Sequence, residues 1–293
     1  MFSRRSLMDV NIECLRYFAK AIEAETGIFY SEANFYQLSP RIIELSKTFG
    51  FESPDALWEN VQKNSLSAEQ KHLLFDSATN NETSFFRDKK VFDAIHDIFN
   101  AIGREKETLK IWSAACSTGQ ECYSMAMTFL ESRDERPMKN IFSILASDIS
   151  DRVLAKASKG QYSELEVQRG LPPELRSKYF EPSAPNPASL GDSSILWKAK
   201  KELSENIHFK KINLLDPWVH SHKFDVVLCR NVLIYQNTEN KKKVIQRIFD
   251  NLEPSGYLIL GGAESLSGIS DQFDHVPMSG VVVYRKAAKP DVA

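Results

Sequence analysis

Lys110 to Glu121 reads KIWSAACSTGQE, an apolar run that stops at a Ser-Thr-Gly turn and leads into an amphipathic segment. This is the pattern of a strand, a tight turn and a helix N-terminus, the place where α/β proteins hold a nucleotide-like ligand. After Glu121 the apolar residues Cys122, Met125, Ala126, Phe129 and Leu130 recur at helical spacing. Asn140 to Ser147 (NIFSILAS) then forms a second apolar run that ends at Asp148. An acid at the end of the second strand is where a ribose is held. The turn carries only Gly119 and lacks the three glycines that let a backbone close on a pyrophosphate, which disfavours a dinucleotide. The expected ligand is a nucleoside without phosphates. S-adenosylmethionine meets that description, and its amino-acid end calls for polar partners such as Glu121. Strand, turn, helix and acid are also what an ordinary α/β core contains, so the rest of the chain has to decide.

Composition narrows the class. With 293 residues, 42% of them apolar, the chain can fill one large core and a small one. No apolar run approaches the roughly 18 residues of a membrane span, and the Arg4-Arg5 start lacks the apolar segment of a signal peptide. A cytoplasmic protein without direct membrane insertion is expected. Cys14, Cys116, Cys122 and Cys229 show no metal-ligand pairing and should stay reduced. Cys122 stands near a helix start, where a thiolate is favoured, but reads better as a small buried hydrophobe. A net charge of −2 argues against a nucleic-acid partner, which demands clustered Lys and Arg.

The chain divides by its periodicity. Residues 1–78 carry helical spacing, as in Leu15, Phe18, Ala19 and Ile22 and again in Ile42, Ile43, Leu45 and Phe49, with Gly50 as a stop. This predicts a small all-helical domain. Over 79–293 strand-like and helix-like runs alternate, the pattern of a parallel sheet covered by helices. Glu181 to Ser194 (EPSAPNPASLGDSS) interrupts that alternation with Pro and Ser and reads as a loop or small insertion.

Four further segments carry a resemblance. Asn81 to Arg87 reads NETSFFR, Asn213 to Asp216 reads NLLD, and Phe224 to Tyr235 reads FDVVLCRNVLIY, followed by a helix and then LEPSGYLILGGAES. In this order and spacing the chain resembles the CheR family, S-adenosylmethionine-dependent methyltransferases that esterify glutamate side chains of bacterial chemoreceptors. The resemblance runs from about residue 10 to about residue 285. It implies a Rossmann-like class I methyltransferase domain preceded by a receptor-docking helical domain, with a small antiparallel β-subdomain inserted at about 176–210. It also implies S-adenosyl-L-methionine as cofactor, S-adenosyl-L-homocysteine as product, and chemotactic adaptation as the setting. Some members grip a receptor's C-terminal tail peptide with the inserted subdomain. The Pro-rich stretch here lacks the glycine-rich turn expected of them, so the expectation leans against a tether.

Site residues follow from the resemblance. Asp148 alone reads equally as a ribose ligand or a helix N-cap, and the family pattern implies ribose. Glu121 lies in the first turn of its helix, where any acid is favoured by the helix dipole, and the family pattern assigns it to the cofactor. Asn81 and Thr83 would touch the cofactor from a lid, with Arg87 at both the cofactor and the reacting groups. Read alone, this stretch could cap the helix that follows, with Arg87 a surface charge. Phe85 and Phe86 read as core. Asn213 and Leu214 would contact the adenine side, although Asn213 otherwise reads as a turn residue. Arg230 and Asn231 end an apolar strand at the carboxyl edge of the sheet and join the cofactor set. Tyr235 would overhang the reaction centre beside Arg87. The chemistry implies no metal.

The chain departs from the family pattern in three places. Gln120 and Cys122 stand where an acid and a proline are expected, with Gly119 and Glu121 kept. Gly261 to Ser265 (GGAES) replaces a His- and Asn-containing form, which puts any role of that loop in doubt. Residues 1–78 hold 8 Lys and Arg against 11 Asp and Glu, with Asn34 where a Lys is common and Arg41 matching an expected Arg. Docking would then use a different charge arrangement from the basic one usual in the family. The competing readings are a non-catalytic S-adenosylmethionine-binding signalling adaptor and a methyltransferase of another protein. A nucleic-acid methyltransferase would need a basic groove and an Asn-Pro-Pro-aromatic loop, where this chain has Asn231-Val232-Leu233-Ile234-Tyr235. No oligomer signal is present, and a monomer is the default expectation.

Overall fold

The computed structural model describes residues 10–103, 106–135, 141–183, 195–217 and 222–287. The Arg4-Arg5 start and most of the Pro-rich stretch, 184–194, with the turn on which the tail-peptide question rests, lie outside the described residues. The chain forms two compact units, one of residues 1–80 with 235–241, the other of 81–234 with 242–293.

The smaller unit is helical. Helices α1 (Ile12–Thr26), α2 (Phe35–Thr48), α3 (Pro54–Lys63) and α4 (Ala68–Ala78) are closed by local chemistry. The Asn11 side chain caps α1, and Gly27 takes the left-handed conformation after it. Ser53 followed by Pro54 opens α3, and Ser67 with Gln70 forms a capping box on α4. Leu15, Phe18, Ala19, Ile22, Ile42 and Leu45 are buried together with Leu38, Leu57 and Leu74. Arg41, expected among docking residues, donates instead to the Ser77 carbonyl at 2.8 Å and to the Tyr30 hydroxyl at 3.0 Å within its own unit.

In the larger unit α5 (Lys89–Ile102) leads to β1 (Thr108–Ala114), α6 (Gln120–Glu135), β2 (Ile141–Asp148) and α7 (Asp151–Lys159). A small region follows, with β3 (Gln161–Ser163), α8 (Glu164–Gln168), α9 (Pro173–Tyr179), β4 (Phe180–Ser183), β5 (Leu196–Ala199) and α10 (Lys201–Ser204). The chain then returns through β6 (Ile207–Lys211), β7 (Phe224–Cys229), α11 (Thr238–Asn251), β8 (Leu252–Leu260), β9 (Phe273–Met278) and β10 (Val281–Lys286).

The main sheet has seven strands in the order β6-β2-β1-β7-β8-β10-β9. From β6 to β8 the pairings are parallel, whereas β10 pairs antiparallel with both β8 and β9. β9 and β10 are joined by the short Ser279-Gly280 turn, which only antiparallel neighbours can use. Both faces are covered, and alternate residues of each central strand serve opposite cores. Ile111, Val226, Leu228 and Ile259 face one, and Trp112, Val227, Cys229 and Leu258 face the other. This double burial is why these strands read as unbroken apolar runs. All four cysteines are buried and free. Burial pushes the Cys229 thiol well above its ordinary range, and a hydrogen bond with Cys122 together with burial does the same for Cys116.

The small antiparallel sheet has the order β3-β5-β4. Its strands come from residues 161–199, not 176–210: β6 pairs with β2 in the main sheet instead. The NETSFFR segment is fastened to this region. Phe85 is buried edge-on against Tyr162 and Phe180, while Phe86 packs on Phe92. Gly170 has φ +96, and a Cβ built there would stand 2.1 Å from the Phe85 carbonyl oxygen. Gly170→Ala should therefore destabilise the protein by more than the roughly 1–2 kcal/mol of a left-handed conformation alone. Denaturant unfolding measures this, and an unchanged midpoint would show that Phe85 does not approach Gly170.

Candidate functional site

The carboxyl edges of β6, β2, β1 and β7 lie side by side, and the connection order reverses around β1, where open α/β sheets form their ligand crevice. The turn after β1 is built from unusual backbone: Ala115, Ser117 and Gly119 have φ of 67°, 51° and 93°. Gly119 is required there, because a Cβ would meet the Ala157 Cβ at 2.9 Å and the Tyr162 hydroxyl at 3.0 Å. Cys116 N–H donates to the Ser147 carbonyl, which ties the turn to the end of β2.

Asp148 is buried at that end. Its Oδ2 accepts from the Ser117 N–H at 2.9 Å and its Oδ1 from the Ser150 N–H at 3.0 Å. The N-cap of α7 is Ser150, whose hydroxyl accepts from Val153, so Asp148 is not the cap. Ile212 N–H donates to the Asp148 carbonyl at 3.0 Å and brings the NLLD segment alongside. Asn213 forms a turn there, with its Oδ1 accepting from the Leu215 N–H at 3.0 Å and its Nδ2 donating to Asp216 at 3.3 Å. The Leu214 carbonyl accepts from Arg247.

Glu121 and Arg230 form the charged centre of the edge. Glu121 Oε1 accepts from the Ser113 hydroxyl at 2.7 Å and its Oε2 from Arg230 Nη1 at 3.0 Å. Arg230 Nη2 donates to Asp88 Oδ2 at 2.7 Å and to the Arg87 carbonyl at 3.0 Å. The Arg230 side chain is only 2% exposed. Phe86 and Asp88 both have positive φ, and α5 begins after Asp88, so NETS does not cap it. Ser117 Oγ donates to the Asn81 carbonyl at 2.8 Å, and Arg87 Nη1 donates to the Glu82 carbonyl at 3.0 Å. Thr83 is partly buried in the same segment. Seven of the expected positions, Asn81, Thr83, Arg87, Glu121, Asp148, Arg230 and Asn231, thus sit on segments bonded around the edges of β1, β2 and β7.

Tyr235 belongs to the smaller unit. Its carbonyl accepts from the Phe29 N–H at 2.9 Å and its hydroxyl from Asn80 Nδ2 at 2.8 Å. Asn80 was not singled out in the sequence, and neither was Glu264. The Glu264 carboxylate accepts from the backbone amides of Asn231, Val232, Ile234 and Gly261 at 2.7 to 3.2 Å. An acid after Gly261-Gly262 is the available sequence signal, but three of the four amides it serves lie about thirty residues earlier.

The donor set fits an adenosyl amino acid. Arg230 Nε is a buried donor without a hydrogen-bond partner among the described residues, and it lies beside an acid on the same edge. Paired opposite charges suit a zwitterion, with Arg230 for a carboxylate and Glu121 for an ammonium. Asp148 suits a ribose diol, because a carboxylate is acceptor-only and can take hydrogen bonds from both hydroxyls.

Comparison with known proteins agrees. The description "CheR methyltransferase, SAM binding domain" matches residues 81–282. The chemotaxis protein methyltransferase of Vibrio parahaemolyticus is 36% identical over 92% of this chain and 95% of its own length. Chemotaxis protein methyltransferase 1 of Pseudomonas aeruginosa is 33% identical over 96% and 99%. Among solved structures, a TehB-like SAM-dependent methyltransferase from Corynebacterium glutamicum is 10% identical with a TM-score of 0.39, over 83% of this chain and 98% of that one. With both its cofactor-binding region and nearly its whole length matched, the chain belongs to the CheR family of S-adenosylmethionine-dependent methyltransferases.

Proposed function

We propose that the protein transfers a methyl group to glutamate side chains in the cytoplasmic domain of membrane chemoreceptors, giving methyl esters and S-adenosylhomocysteine. The observation that carries this reading is the Ser113–Glu121–Arg230 network beside Asp148 in a chain that matches chemotaxis methyltransferases over nearly its whole length. On this reading the protein acts in the cytoplasm, on acidic protein side chains rather than nucleic acid.

When bound, S-adenosylmethionine supplies a methyl group on a sulfonium centre. Asp148 holds the ribose, Glu121 and Arg230 hold the amino-acid end, and Asn81, Thr83, Asn213, Leu214 and Asn231 complete the cradle. The acceptor carboxylate needs no strong base, since a glutamate with a pKa near ~4.3 is ionised at neutral pH. Anion and cation neutralise each other during transfer, and water, which stabilises the separated charges, slows such a reaction. Excluding water and aligning the groups supplies the acceleration, with oriented reactions gaining up to roughly 7–11 kcal/mol. Arg87 and Tyr235 orient the incoming carboxylate by directed hydrogen bonds. Too tight an Arg87 contact would hold the ground state as firmly as the transition state and add nothing to turnover.

Transfer of a labelled methyl group to membranes carrying the host's chemoreceptors tests the reaction. Base-labile label on the receptors is expected; cofactor binding without label would point to the adaptor reading. Asp148→Asn should weaken cofactor binding about 10- to 100-fold, because a hydrogen bond to a charged group contributes roughly 1.5–3 kcal/mol. Calorimetry on the folded variant checks this, and unchanged affinity would remove Asp148 from the ribose site. Arg87→Ala should lower turnover while barely moving the melting temperature, since among the described residues its guanidinium makes one hydrogen bond, to the Glu82 carbonyl. A variant that melts early but turns over normally when folded would make Arg87 structural.

A further inference from the structure

Glu264 stands outside the cofactor set, yet its carboxylate accepts from four backbone amides near the site. Oε2 accepts from Asn231 N–H at 2.7 Å and Gly261 N–H at 2.8 Å. Oε1 accepts from Val232 N–H at 2.9 Å and Ile234 N–H at 3.2 Å. Four amides match the roughly four lone-pair sites of an ionised carboxylate. The backbone of Glu264 closes its own turn, its N–H donating to the Gly261 carbonyl at 2.9 Å. Gly261 makes the approach possible: a Cβ there would stand 2.8 Å from the Asn231 nitrogen, from Asn231 Nδ2 and from Glu264 Oε2. Between these contacts Asn231 adopts φ +58, a left-handed conformation that costs a residue with a Cβ roughly 1–2 kcal/mol unless its surroundings hold it.

We propose that Glu264 is a positioning residue for cofactor binding, clamping the turn after β7 so that Arg230 and Asn231 are presented in their binding geometry. The inference rests on the reading of Arg230 and Asn231 as cofactor residues. Three of the four amides belong to the turn that follows Arg230, so the clamp sets the direction in which the chain leaves the buried guanidinium. Glutamine is a poor replacement despite its shape. Its amide group turns one end of the side chain from acceptor to donor, so two of the four backbone donors lose their partner whichever way it is rotated.

The test combines exchange, binding and a double-mutant cycle. In the ligand-free protein, Glu264→Gln should reduce hydrogen-exchange protection at Asn231, Val232, Ile234 and Gly261 together. Its affinity for S-adenosylhomocysteine, measured by calorimetry on folded protein, should fall about tenfold, the equivalent of ~1.4 kcal/mol. In an Asn231→Ala background the same change should cost less, because coupled residues are non-additive. Equal costs in both backgrounds, or unchanged affinity with only a lowered melting temperature, would overturn the proposal. Should Glu264→Gln not fold, Glu264→Asp carries the test: its shorter carboxylate keeps the charge but cannot reach all four amides, so protection and affinity should still fall. If Asn231→Ala and Arg230→Lys leave binding intact, the assignment of those residues to the cofactor fails; if they weaken it and the Glu264 variants do not, the clamp fails alone.

Discussion

A buried guanidinium holds the functional edge of this protein together. Arg230 is removed from water at the end of β7 and is supported by Glu121 from α6, by Asp88 before α5, and by the Arg87 carbonyl. Burying a charge is costly, and removing one partner of such a pair typically costs about 3–5 kcal/mol because the other charge is left uncompensated. The network therefore ties three segments that are far apart in the chain to one geometry. Its return is specificity of arrangement: the segment before α5, helix α6 and the turn after β7 are registered on a single side chain.

Around that centre the protein places backbone in conformations it would not choose alone. Left-handed residues precede α5, line the turn after β1 and follow Arg230. Three of them are held by contacts from elsewhere: Asp148 holds Ser117, Arg230 holds Asp88 and Glu264 holds Asn231. Local strain balanced by long-range hydrogen bonds is a form of pre-organisation, since the ordering cost is met in folding and not when the ligand arrives. Two sterically required glycines extend the same economy, Gly119 letting α7 and Tyr162 close on the turn after β1 and Gly170 letting the small-sheet region reach the Phe85 backbone.

What the sequence revealed and what it hid follow from the range of the interactions. The strand-turn-helix at Lys110–Glu121, the acid at Asp148 and the helical spacing of Leu15, Phe18 and Ile22 depend on near neighbours, and each lies where periodicity placed it. GGAES departs from the His- and Asn-containing form of the family pattern, and three of the four amides that Glu264 holds lie at another strand's end, beyond any local pattern. The antiparallel pairing of the last two strands is set by a short Ser-Gly turn and not by an apolar pattern. The boundaries of the small sheet were misplaced because β3 and β4 are short and half polar, while β6 looks similar but is claimed by the ladder with β2. Asn80 could not be distinguished from its neighbour Asn81 without seeing the Tyr235 hydroxyl.

The chain's route through its two units bears on how a shortened form of the protein would behave. Residues 235–241 are grouped with the helices although both flanking stretches belong to the larger unit. Their backbone is stitched to the region after α1, Phe29 to Tyr235 and Ile28 to Gln236, and Asn237 donates to Glu23 at 3.1 Å. Cutting the chain at residue 80 would remove every one of these partners from a segment that stays behind. A catalytic fragment made that way would lose the restraint on Tyr235 along with the helices. Its failure to modify a receptor could not be assigned to lost docking, because one deletion would have changed both the proposed docking helices and an expected reaction residue.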